Sequence, residues 1–156
     1  MYHSQYYYIP GRKKQVYEII KSSLKLEINK VDVSINRYVK FLENERNWKK
    51  LVQVDYNAIE SFNYGYSDVS MKLTSLGIVI ERKYKNNSPH YKIAKGILNK
   101  RVEKIKMFFR GLLTGMNMYM YDMARESDSN DEPCLRHINQ IQIIIKNRLS
   151  AINMTY

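Results

Sequence analysis

Apolar residues recur at spacings of three and four along most of this chain, and alternate with polar ones only in short stretches near its middle. Between Gly11 and Ile28, Val16, Ile20 and Leu24 recur every fourth residue beside Tyr17 and Ile19, which predicts an amphipathic helix. Ile35, Tyr38, Val39 and Leu42 predict a second, with Asp32 or Ser34 as N-cap and Trp48 closing the core from the side. Leu51–Val54 is short and partly alternating, so a strand is expected there. Asp55 is placed to cap a helix reaching Phe62, Asn63–Tyr66 is a turn around Gly65, and Ser67 caps a helix whose Val69, Leu73 and Leu76 face inward and which Gly77 ends. Ile78–Lys85 and His90–Ile93 then predict a β-hairpin turning at Asn86–Pro89. Further on, Leu98, Val102, Ile105, Phe109, Leu112, Met116, Tyr119 and Met123 alternate in steps of four and three, the spacing by which helices pair. An acidic loop at Ser127–Pro133 precedes a last helix with Leu135, Ile138, Ile141 or Gln142, Ile145, Leu149 and Ile152 on one side.

The segment LTSLGIVIERKYKNNSPHYKI, within Asp55–Ile93, resembles the end of a recognition helix running into a wing. Over roughly Asp32 to Ala94 the chain resembles the winged helix-turn-helix superfamily. Its element order resembles the MarR and PadR families of dimeric bacterial transcription regulators, in architecture only. The resemblance implies a mostly α fold with a small β-wing, extended by N- and C-terminal helices for dimerisation. The expected organisation is an arm at 1–10, a winged domain at 11–94 and a helical dimerisation region at 95–156. The expected DNA-binding residues are Ser67, Ser70, Met71, Lys72, Thr74 and Ser75 on the helix, and Arg82, Lys83, Lys85, Asn86, Asn87, His90 and Lys92 on the wing. The helix face lacks Arg, Asn and Gln, the usual bidentate readers of bases, so the wing cations carry more of this expectation. The homodimer interface is expected along Leu98–Met123.

Charge sharpens the picture. Lys and Arg number 26 against 15 Asp and Glu, a net charge of +11 and a pI near 9.6, which favours a polyanionic partner such as double-stranded DNA. The single cysteine, Cys134, cannot form an internal disulfide, so a cytoplasmic setting is expected. No apolar run reaches membrane-spanning length, and the N-terminus does not resemble a secretory signal. Catalysis has little to work with: His3, His90 and His137 are scattered, and no phosphate loop or nucleophile motif stands out. Cys134 and His137 have the spacing of half a metal site but lack a second pair. The expectation is thus a non-enzymatic DNA-binding regulator without metal or cofactor. Two alternatives stay open: a replication, partition or mobile-element accessory protein, and a winged-helix module or inhibitor that binds protein.

Overall fold

The computed structural model describes the backbone of residues 4–52, 55–126 and 132–155, and side chains over 13–51, 55–119, 121–122 and 138–152. Six helices follow one another: α1 (Ser4–Ser23), α2 (Lys25–Glu43), α3 (Glu45–Val52), α4 (Tyr56–Lys83), α5 (Pro89–Glu126) and α6 (Glu132–Thr155). No strand occurs among the described residues. The fold is all-α, and the expected winged helix-turn-helix, with its MarR- and PadR-like layout, is overturned.

The correction is concentrated between Leu51 and Ile93. Leu51 and Val52 end α3, where a strand was expected, and residues 53–54 lie outside the described ones. Asp55 does cap α4, its carboxylate accepting from the Ala58 amide at 3.1 Å. The expected turn at Asn63–Tyr66 is absent, and α4 runs unbroken through Gly65, Ser67 and Gly77. Ile78–Lys83 stays helical because Ile80 continues the stripe of Val69, Leu73 and Leu76, and all four are buried. β-Branched residues lose only a few tenths of a kcal/mol in a helix, whereas burying one such side chain gains about 1.5–3 kcal/mol. His90–Ile93 likewise opens α5, whose stripe continues through Ala94, Ile97 and Leu98.

Gly65 serves close packing rather than a turn. No described glycine has a positive φ, and a Cβ on Gly65 would lie 2.3 Å from Cδ1 of Tyr38. The ring of Tyr38 therefore rests on the bare backbone of α4. Asp32 and Ser34, expected as N-caps, lie inside α2 and reach to its neighbours. Asp32 accepts from Arg101 Nε at 3.1 Å and Nη2 at 3.2 Å, tying α2 to α5. Buried Ser34 donates to Asp68 on α4, whose other oxygen pairs with Lys72 at 3.0 Å.

α2 runs antiparallel to α4 and parallel to α5, as the pairs Ser34–Asp68, Tyr38–Gly65, Asp32–Arg101 and Asn36–Lys104 show. α6 returns antiparallel to α5, with Gln142 donating to Asn117 at 2.6 Å and Arg148 over the ring of Tyr66 at 4.9 Å. Where these helices meet, Phe109 packs within 6.1–6.4 Å of the rings of Tyr38, Phe62 and Tyr66. Trp48 closes the side of the core, edge-on to Tyr119 at 5.3 Å. Burial holds the Tyr38 phenol well above its ordinary pKa, with nearby Arg148 pulling it down.

Asp68 yields a prediction. The bond from Ser34, helped by Lys72, holds its carboxyl below the ordinary range against the opposing effect of burial. The folded pKa being the lower one, the stabilisation is complete above the unfolded value of about 3.9 and is lost as pH falls through the folded value. Ser34→Ala is expected to weaken this, so that acid unfolding followed by circular dichroism begins at higher pH. Superimposable acid transitions for the two proteins would refute the assignment.

Candidate nucleic-acid interface

Between α4 and α5 the chain reverses over five residues, and their chemistry explains the turn. Tyr84 leaves the helix in extended conformation, its amide still bonded to the Ile80 carbonyl. Asn87 takes the left-handed conformation with φ 65°, which asparagine tolerates better than most residues. Ser88 then caps α5, its hydroxyl accepting from the Tyr91 amide at 3.1 Å, and Pro89 supplies the first helical residue. The hairpin is pinned by Glu81, which accepts from the Tyr91 hydroxyl at 2.6 Å and faces Lys95 at 3.9 Å. That bond raises the Tyr91 pKa.

Its tip is fastened to the junction of α1 and α2. Lys83 donates to the Ser23 carbonyl at 2.6 Å, and the hydroxyls of Tyr84 and Ser23 meet. This brings Lys25 beside Lys83 along one shallow furrow, and Lys21 lines the next one with Lys25. Pattern reading missed both lysines, because they lie some sixty residues from the tip in sequence and only the docking of Ser23 unites them. On the tip itself Arg82, Lys85, Asn86, Asn87, His90 and Lys92 are exposed, and the His90 ring stacks on Tyr84 at 6.5 Å and 14°.

The concentration of charge exceeds what the tip alone holds. Residues 82–110 contain ten cations, namely Arg82, Lys83, Lys85, Lys92, Lys95, Lys100, Arg101, Lys104, Lys106 and Arg110, against Glu103 alone. This single segment thus carries a net charge of +9 in a chain of +11. Arg101 and Lys106 are held by Asp32 and Glu103. Lys95 faces Glu81, and the other seven make no ion pair among the described residues, Lys83 and Lys104 bonding only to the neutral oxygens of Ser23 and Asn36.

The other expected DNA-binding residues sit elsewhere. Ser67, Met71, Thr74 and Ser75 are exposed mid-way along α4, Ser70 is half-buried, and Lys72 is engaged by Asp68. From Ser67 to Arg82 is about 22 Å along the helix axis, and Ser67–Ser75 does not form a separate helix with a free N-terminal end. The structure therefore gathers the expected wing residues with Lys21 and Lys25, and leaves the expected reading face apart. The expected dimer residues Leu98, Val102, Ile105, Phe109, Leu112 and Met116 are buried in the chain's own core, and Tyr119 is half-buried against Trp48. The side chain of Met123 lies outside the described residues, as do those of Cys134 and His137.

Elsewhere, a groove of about 520 Å³ follows the seam of α2 and α4 between Arg37, Phe41, Glu60, Tyr64 and Asp68. Among the described residues no three His, Cys, Asp or Glu side chains are grouped to hold a metal ion. No described helix is long and apolar enough to cross a membrane. Compared with known proteins, the chain matches no family model, no curated protein and no solved structure.

Proposed function

We propose that the protein binds nucleic acid, double-stranded DNA in the first place, through its phosphate backbone. The α4–α5 tip and the basic first half of α5 form the contact surface. The observation that carries this is the net +9 on residues 82–110, with seven of its ten cations making no ion pair among the described residues and the tip clamped in place by Ser23. Such a surface neutralises phosphates and releases counterions, which supplies affinity without reading bases. Recognition would then rest on duplex shape and charge, and the protein acts as a DNA-binding regulator or accessory factor rather than as an enzyme.

The test is fluorescence anisotropy of a labelled duplex titrated with the full chain at several salt concentrations. With roughly five or six phosphate contacts, affinity is expected to fall about 10³-fold between about 50 and 200 mM salt. The double variant Lys85→Ala/Lys92→Ala is expected to bind more weakly at every salt and to shift the log–log slope toward zero by about 2. Affinity indifferent to salt, or equal slopes for variant and wild type, would sink this proposal.

A further inference from the structure

The solvent side of α5 changes character along its length. Up to Arg110 it presents Lys92, Lys100, Lys104 and Arg110, whereas residues 111–124, between Arg110 and Arg125, contain no lysine or arginine. Across that change Met107, Gly111, Thr114, Met118 and Tyr121 follow at steps of four, three, four and three. Met107, Met118 and Tyr121 are 68%, 64% and 66% exposed, and Gly111 and Thr114 are exposed as well. This is a second heptad seam, on the helix face opposite the buried stripe of Val102, Ile105, Phe109, Leu112 and Met116. A shallow groove of about 300 Å³ runs beside it, bordered by Trp48, Phe108, Gly111 and Gly115. A Cβ added at either glycine would meet nothing within 4 Å.

We propose that this outer seam pairs α5 with α5 of a second copy of the chain, antiparallel about a two-fold axis at the level of Met116. Size and charge both select that occupant. When Gly111 faces Tyr121 of the second copy, Thr114 faces its Met118, and the two-fold axis repeats both pairings. Each small residue then receives a large one, as a self-complementary interface requires. The open lane at Gly111 and Gly115 admits the larger side chains into the groove beside Trp48. Copies carrying +11 each repel one another, and residues 111–124, the stretch of α5 without lysine or arginine, are where two of them can meet at least cost. An acidic partner would instead be drawn to the Lys92–Arg110 half. The pairing is independent of nucleic-acid binding, because it uses none of the cations assigned to that surface.

Light scattering coupled to size exclusion, on the full chain across micromolar concentrations, tests this. The wild type is expected at twice the 18.6 kDa of one chain. Met118→Glu and Gly111→Gln are expected at the monomer mass with unchanged far-ultraviolet circular dichroism. The second variant is the sharper one, since glutamine favours a helix more than glycine does and only an obstructed partner explains a loss of mass. Met71→Glu, an exposed methionine on α4, is the control and should remain dimeric. A wild type that stays at 18.6 kDa at every concentration, or a dimer that survives both α5 substitutions, would overturn the proposal.

Discussion

Phe109→Ala is expected to remove most of the stability of this protein. The ring is fully buried and touches Tyr38 from α2 and Phe62 and Tyr66 from α4, while Arg148 of α6 lies over the ring of Tyr66. Two other helices are thus registered directly through one side chain, and α6 reaches it only through Tyr66. Deleting a ring from such a site costs about 3–5 kcal/mol, transfer and cavity terms together, against a total of about 5–15 kcal/mol for a domain. Urea unfolding followed by circular dichroism checks this, and a loss below about 1 kcal/mol would contradict the packing. Phe109→Asp separates two roles for the residue. In the core of one chain it yields an unfolded protein, whereas between two chains, where the heptad pattern alone places it, it would yield a folded monomer.

Gly65→Ala is expected to destabilise although it improves the intrinsic helix propensity of α4. Within a helix, glycine to alanine ordinarily gains about 1 kcal/mol. Here the new methyl would sit 2.3 Å from one ring carbon of Tyr38 and 2.6 Å from the next. The ring cannot simply turn aside, because Phe62 and Phe109 pack around it at 5.8 and 6.1 Å. Overpacking of this kind costs about 1–3 kcal/mol, enough to outweigh the propensity gain. Gly96→Ala on α5, where a Cβ meets nothing within 4 Å, is the internal control and should stabilise. Opposite shifts of the two urea midpoints are the expected result, and a stabilised Gly65→Ala would refute the close contact.

These two positions show how much of the molecule was legible in its sequence. The apolar period was readable over Val69–Leu76 of α4, Leu98–Met116 of α5 and Ile138–Ile152 of α6, because an apolar stripe repeats locally at helical spacing. The same periodicity was silent on what covers a stripe. Leu98 through Met116 has the spacing of a pairing seam, and the chain's own helices cover it, while Met107, Met118 and Tyr121 on the opposite face are exposed. The candidate interface divides in the same way. Cations from Arg82 to Arg110 can be counted in the sequence, but Lys21 and Lys25 join them only through the bonds from Ser23 to Lys83 and Tyr84.

By itself, then, the sequence determined a basic, largely helical chain and the periodic apolar stripes along it, because charge and period are local properties. Tertiary structure decided whether Gly65 bends the chain or lets Tyr38 approach, and whether Ile78–Ile93 pairs as strands or extends two helices. Both outcomes depend on contacts with α2 and with the far ends of α4 and α5. Those contacts yield more free energy than the tenths of a kcal/mol by which turn and strand propensities differ from helical ones.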